Sequence, residues 1–113
     1  MTSKNKIMKT ENLYNITHHA EVSEKVLEKY LCRRAKEHGW PCLKYSNPNA
    51  VGYPDRVIVL PSRKVAWVEL KSRGRKSAKI QVARHEELRN AGHVVFVADS
   101  REKIDELITE LER

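Results

Sequence analysis

The pattern of apolar and polar positions divides the chain into helical and strand-like segments. A helical period begins near Val22, with charged residues between the apolar positions Val26, Leu27, Tyr30, Leu31 and Ala35. Gly39 and Pro41 are expected to end this helix. Residues 1–20 are polar and show no clear period, which predicts a flexible N-terminal extension before one domain over residues 21–113.

Short strand-like runs follow the first helix. Residues 42–45, CLKY, form the first, and the runs Arg56–Leu60 and Lys64–Lys71 are joined by the turn PSR, which predicts an antiparallel hairpin. A second helix is expected over about residues 77–90, followed by a buried strand in HVVFVAD and a last helix capped by Ser100. The order α-β-β-β-α-β-α predicts an α/β fold, a mixed β-sheet flanked by helices.

The stretch GYPDRVIVLPSRKVAWVELKSR, residues 52–73, places ionisable residues at the ends of apolar strands. Asp55 opens one run, while Glu69 and Lys71 lie in the next run on a single face, because side chains alternate across a strand. Asp55 can lie beside Glu69 only if the register of the hairpin allows it. The structural alternative is a buried Lys–Glu pair with an aspartate that serves as a turn residue. Unpaired charges in a strand core are costly, so their combination favours a functional role.

Two carboxylates on adjacent strands would form a hard oxygen site. Mg²⁺ or Mn²⁺ suits such a site, because either ion takes a few carboxylates and keeps several waters for the substrate. The ammonium of Lys71 can hydrogen-bond an attacking water or stabilise the charge that grows on a phosphate. Zinc is not indicated, since Cys32 and Cys42 lack CxxC spacing and the histidines lack HExxH spacing.

The spacing of GYPD and ELK, with 13 residues between them, resembles the signature of the PD-(D/E)XK nucleases. More narrowly, the chain resembles the stand-alone VRR-NUC nucleases of phages and bacteria. The similarity runs from about Ser23 to Leu111 and includes EKVLEKYLCRRAKEHGW, VAWVELKSRGRKSAKIQ and HEELRNAGHVVFVADS. The resemblance implies a restriction-endonuclease-like core. The extension before Ala20 has no counterpart in that family.

The resemblance also implies roles for individual residues. Asp55 and Glu69 would be metal ligands, with the backbone carbonyl of Leu70 as a third. Lys71 would be the catalytic lysine. Gln81 matches a glutamine that arranges the active site or the phosphate, although an ordinary exposed helix residue is the alternative.

A glutamate on the first helix completes the acidic cluster in that family. Glu24 and Glu28 both qualify here, because their i,i+4 spacing places them on one helix face. The sequence does not decide between them. Glu28 is slightly favoured, since it lies nearer the middle of the helix and is expected to be held over the sheet.

The net charge of +7, from 22 basic and 15 acidic residues, favours a polyanionic partner. No apolar run approaches the roughly 18 residues that span a bilayer, and no signal peptide is recognisable, so a cytoplasmic location in a bacterium or phage-infected host cell is expected. No aromatic platform for unpaired bases is evident, which favours recognition of DNA shape and backbone. Contacts to phosphates, or alternatively only a solvated surface, are predicted for Lys44, Arg56, Arg73, Arg75, Lys76 and Lys79.

The leading hypothesis is a Mg²⁺- or Mn²⁺-dependent DNA endonuclease that hydrolyses phosphodiester bonds in branched DNA, such as a Holliday junction or a flap. The short chain leaves little room for a separate recognition domain, and a two-fold symmetric junction suits a homodimer. One alternative is a non-catalytic nucleic-acid-binding module on a nuclease-like fold. Another is a regulatory or toxin-like protein that binds acidic partners.

Overall fold

Three helices and four strands follow one another in residues 23–113, the part of the chain that the computed structural model describes. The predicted N-terminal extension and the predicted helix start at Val22 lie outside these residues. The first helix, α1, is described over residues 23–37. The remaining elements are β1 (Cys42–Lys44), β2 (Arg56–Leu60), β3 (Lys64–Leu70), α2 (Lys79–Asn90), β4 (Val94–Ala98) and α3 (Arg101–Glu112). The predicted order of elements is confirmed.

The four strands form one mixed sheet in the order β1-β2-β3-β4. The β1–β2 and β2–β3 pairs are antiparallel, and the β3–β4 pair is parallel. The predicted hairpin turns at Ser62 and Arg63, which both have positive φ, 65° and 64°. A parallel pair needs a crossover, and α2 supplies it. The predicted α/β fold with a mixed sheet is therefore confirmed.

The hydrophobic core lies on the sheet face that is covered by α1 and α3. The alternation of β3 directs Ala66, Val68 and Leu70 into it, as the sequence predicts. The helices contribute Leu27, Leu31, Ala35, Ile104, Leu107 and Ile108. None of the helices in residues 23–113 is long and apolar enough to cross a membrane.

Strand β4 differs from its prediction, because it is an edge strand that is only half buried. Val95 and Ala98 are buried, whereas Val94 and Val97 keep 47% and 40% of their surface exposed. The crossover places β4 outside β3, and no strand among residues 23–113 pairs with its outer side. Its apolar run therefore predicts a strand correctly but not the position of that strand in the sheet.

The loop between β1 and β2 packs against the first turn of α2 at Gly52. Gly52 has a φ of +97°, and a Cβ there would lie 2.8 Å from the Ile80 Cγ1 atom and 3.2 Å from the Ile80 carbonyl oxygen. Only a glycine combines this conformation with so close an approach. The loop and the helix are thus held together on the sheet face opposite the core.

Candidate active site

The hairpin register brings Asp55 opposite Glu69. Arg56 pairs with Val68, so the residue before Arg56 meets the residue after Val68. The backbone N–H of Tyr45 donates to the Asp55 carbonyl over 2.7 Å and holds this end of the strand in the sheet. The register condition left open by the sequence is therefore met.

The Glu69 carboxylate lies in a poorly solvated, electronegative position. Its residue is 2% exposed, and its Oε1 atom is buried without a hydrogen-bond partner in the described structure. Burial, together with the charges of Asp55 and Glu24, raises the pKa of Glu69 to about 7, although the charge of Lys71 opposes this shift. A carboxylate with this pKa and an unused oxygen is suited to receive a cation.

Lys71 is held over the same site by a residue of α2. Its Nζ atom donates to Gln81 Oε1 over 2.7 Å, and the same oxygen accepts the backbone N–H of Ala78 over 2.8 Å. The Gln81 side chain therefore caps the start of α2 and also fixes the position of the Lys71 ammonium group. The structure brings Gln81 and Lys71 together, as the resemblance implies.

The two candidate glutamates of α1 face different parts of the molecule. Glu24 accepts the backbone N–H of Ser72 over 3.2 Å, just beyond the end of β3, and its charge reaches Glu69. Glu28 instead accepts Arg56 Nε over 2.9 Å and a second bond from Nη2. The structure thus places Glu24, and not the favoured Glu28, beside the end of β3, because one helical turn moves the carboxylate from the strand end to the Arg56 side chain. The identity of the glutamate that completes the metal site stays a prediction. Arg56 is likewise engaged by Glu28, which does not support a free phosphate contact.

These residues fit a divalent cation although they do not form a closed cage. Among residues 23–113, no three side chains of His, Cys, Asp or Glu are grouped closely enough to hold a metal by themselves. Mg²⁺ needs only one or two carboxylates and retains its waters. Asp55, the orphaned oxygen of Glu69 and the backbone carbonyl of Leu70 at the end of β3 supply donors of that kind.

His85 is a buried neighbour of this site that the sequence interpretation missed. Its Nε2 atom lies 3.5 Å from Glu69 Oε1, and neither atom has a hydrogen-bond partner in the described residues. Burial and the charges of Arg89 and Lys71 lower the pKa of His85, so the neutral ring is favoured. Its position four residues after Gln81 is the signal that places it on the same helix face.

The exposed basic residues predicted to bind phosphates surround the end of β3. In the loop that follows β3, Gly74 has a positive φ, +78°, and its N–H donates to Asp99 over 3.2 Å. The side chain of Lys44 is exposed at the end of β1, which is two strands away from β3 in the sheet. The exposed basic residues of this loop and of the start of α2 are Arg73, Arg75, Lys76 and Lys79.

An aromatic cluster lies on the same sheet face, contrary to the expectation that none is present. Tyr45 is 5.3 Å from Trp67 and 6.0 Å from Tyr53 between ring centroids, and His93 lies 6.3 Å from Trp67. These residues come from three separate segments of the chain: the β1–β2 loop, β3 and the turn before β4. Local composition therefore gives no sign of the cluster, whereas the sheet register assembles it.

Comparisons with known proteins identify relatives of this chain and of its fold. The chain is 35% identical over 81 residues to "Putative nuclease p44" of Acyrthosiphon pisum secondary endosymbiont phage 1, covering 72% of this chain and 87% of p44. A solved "VRR_NUC domain" superposes with a TM-score of 0.73 at 32% identity, over 77% of this chain and 95% of that one. A "VRR_NUC domain protein" at 20% identity and a TM-score of 0.53, over 62% of this chain and 65% of that one, shares the fold. No protein-family model matches the chain.

Proposed function

Since the chain belongs to the VRR-NUC nucleases, we propose that it is a Mg²⁺- or Mn²⁺-dependent endonuclease that hydrolyses phosphodiester bonds in branched DNA. One observation carries the proposal. The buried carboxylate of Glu69, with an unused oxygen and a raised pKa, lies opposite Asp55 while Lys71 is held beside them by Gln81. A purely structural Lys–Glu pair does not account for an orphaned carboxylate oxygen.

The cation would be held by Asp55, Glu69 and the Leu70 carbonyl, with Glu24 close by. When bound, such an ion supplies an activated water and stabilises negative charge on the phosphate. Its binding is favoured because it compensates the buried charge of Glu69, whose Oε1 atom accepts no hydrogen bond from residues 23–113.

Lys71 and Gln81 act on the phosphate side of the site in this proposal. The ammonium of Lys71 can donate hydrogen bonds to a phosphate oxygen or to a water, and Gln81 occupies one of its donors and fixes its direction. Fixing the head group before the substrate arrives removes part of the reorganisation that the reaction would otherwise require.

A preference for branched DNA is supported by the basic surface near the site. The exposed loop after β3 offers backbone contacts, which supply affinity without reading sequence. A branch point brings phosphates of several strands close together, so a compact basic loop can contact more than one strand there. We further propose that the enzyme acts as a homodimer, since no strand among residues 23–113 pairs with the outer edge of β4, and this edge offers a surface for a second copy.

The test is cleavage of end-labelled four-way junction, flap and linear duplex DNA of matched sequence in Mg²⁺, in Mn²⁺ and in EDTA. We expect metal-dependent cleavage, faster on the branched substrates. Asp55→Asn and Glu69→Gln should abolish it while DNA binding stays near the wild-type level or strengthens, because repulsion of phosphate is reduced. Glu102→Gln, at an exposed position of α3, is the matched control and should cut normally.

Wild-type protein that binds these DNAs but cuts none of them in either metal would contradict the proposal. That result would favour the non-catalytic nucleic-acid-binding module. Equal cleavage of branched and linear DNA would leave the endonuclease activity standing and remove the preference for branches.

A further inference from the structure

A small cavity lies beside the candidate metal ligands and has two tyrosines in its walls. Its volume is about 160 Å³, and its lining includes Tyr45, Asn47, Ala50, Tyr53 and Asp55. The rings of the two tyrosines are 6.0 Å apart and meet at 83°, so they form adjoining walls. The cavity thus combines aromatic surface with direct access to a carboxylate of the site.

Both tyrosine rings are held in place through contacts with neighbouring side chains. The Tyr45 hydroxyl accepts a hydrogen bond from Asn47 over 3.2 Å, and the Tyr53 hydroxyl donates to Glu87 over 2.9 Å. The guanidinium of Arg84 lies over the Tyr53 ring at 4.7 Å and anchors it to α2. Walls that are already ordered reduce the entropy lost when a ligand enters.

The aromatic surface continues into the candidate active site. Tyr45 is tied to Asp55 by the backbone hydrogen bond of 2.7 Å. Trp67 precedes Glu69 by two residues, so both side chains project from one face of β3, and the Trp67 ring is 5.3 Å from that of Tyr45. A nucleotide whose phosphate lies at the carboxylates would therefore have its base within reach of these rings.

We propose that this cavity receives an unpaired base of the DNA strand that is cut. Stacking on aromatic side chains tolerates every base, because each base has a π-face. Bases within a duplex are already stacked and paired, so the cavity would favour unpaired nucleotides at a flap or branch point. This inference rests on the proposed function and narrows its substrate to DNA with an unpaired nucleotide beside the cleaved bond.

The experiment places the fluorescent base 2-aminopurine at the unpaired position next to the branch of a flap substrate, and within the stem of a matched linear duplex. Binding is followed in EDTA, so that no cutting occurs, and cleavage is measured separately in Mg²⁺ with the wild-type protein. We expect the protein to quench the unpaired 2-aminopurine on binding and to leave the duplex probe unchanged.

Three variants test the cavity itself. Tyr53→Leu removes one wall, Tyr53→Phe keeps the ring, and Ala50→Leu fills the space while both rings remain. Tyr53→Leu and Ala50→Leu should bind the flap about 5- to 100-fold more weakly, and Tyr53→Phe should retain its affinity. Tyr30→Leu, which replaces a tyrosine packed on the core side of the sheet, is the matched control and should bind the flap normally. Thermal melting verifies that each variant is folded. If Tyr53→Leu does not fold, Ala50→Leu alone tests the cavity.

Each outcome separates this inference from the proposed function. Cleavage of branched DNA without quenching, or variants that weaken flap and duplex binding equally, would overturn the cavity as a base site and leave the endonuclease standing. Quenching and selective loss of flap binding without any cleavage in Mg²⁺ would support the base site and overturn the catalytic proposal. Wild-type protein that binds neither DNA would overturn both.

Discussion

At the scale of single residues, Glu69 carries a measurable free-energy cost in the metal-free protein. Its pKa of about 7 lies above the ordinary value of 4.5, so the folded state holds a proton over a pH range in which the unfolded chain has released it. The contribution of Glu69 to the free energy of unfolding therefore decreases as the pH rises from about 4.5 to about 7 and is constant above that range. The shift corresponds to roughly 3 kcal/mol.

Glu69→Gln should accordingly stabilise the protein in EDTA at pH 8, by up to roughly 3 kcal/mol, and the difference from wild type should shrink as the pH falls towards 4.5. Adding Mg²⁺ should raise the melting temperature of the wild-type protein and have little effect on the variant. Melting curves across this pH range provide the measurement, with Glu86→Gln at an exposed position of α2 as the control. A variant that is less stable than wild type at pH 8 would contradict the electrostatic account of Glu69.

Lys71→Ala should slow cleavage at saturating DNA by at least about 100-fold, since it removes a donor directed at developing charge. The melting temperature should change little, because the lost hydrogen bond to Gln81 contributes only about 1 kcal/mol, and metal binding should persist. Single-turnover rates measured beside melting curves separate these effects. Lys36→Ala, exposed on α1, is the control. A large drop in melting temperature with a proportionate loss of rate would favour a structural salt-bridge role.

The face shared by Glu69 and Lys71 could be predicted, because side chains alternate along a strand. The pairing of Asp55 with Glu69 could not, because the sequence left the hairpin register open. The choice between Glu24 and Glu28 could not be made, since both lie on one helix face and the placement of α1 against the strand ends decides which carboxylate reaches the site. Predicting His85 required knowing which face of α2 lies against the sheet.

At the scale of elements, the loop after β3 should supply a large part of the salt dependence of DNA binding. If Arg73, Arg75, Lys76 and Lys79 each contact a phosphate, replacing all four by Ala should reduce the slope of log K against log salt by about 3 to 4. Cleavage at saturating DNA should suffer less, since Lys71 and the carboxylates are retained. A salt titration of junction binding measures the slope.

The control for this loop is a triple replacement of Lys25, Lys29 and Lys36 on the exposed surface of α1. It removes three positive charges instead of four and leaves the loop itself unchanged, so it should alter the slope much less. An unchanged slope for the loop variant would place the phosphate contacts elsewhere and leave the loop as solvated surface.

The elements themselves were predictable to within about two residues, because their apolar periods and turn residues are local signals. The neighbours of each element were less predictable. The run VVFVA predicts a strand, yet its position at the sheet edge depends on the crossover through α2. The aromatic cluster was missed for the same reason, since strand pairing brings Trp67 of β3 beside the loop that carries Tyr45 and Tyr53.

At the scale of the whole molecule, both edge strands of the sheet expose apolar side chains. Val94 and Val97 on β4 and Leu43 on β1 are exposed apolar side chains, with Leu43 at 53%. If the β4 edge pairs two copies, Val94→Lys with Val97→Lys should yield a monomer, because charged edge residues oppose strand pairing. Leu43→Lys, on the opposite edge, should leave the dimer intact. Sedimentation equilibrium measures the mass, and a wild-type monomer would contradict the proposal.

The contact at Gly52 has a consequence for the genetics of this protein. The loop that ends at Asp55 rests on Ile80, the neighbour of Gln81. Gly52 therefore sets the distance between Asp55 and the Gln81 side chain that holds Lys71. Any side chain there must push α2 away from the loop, although Gly52 itself touches no reacting group. A screen for conditional alleles should therefore recover substitutions at Gly52 as temperature-sensitive mutations that resemble active-site lesions.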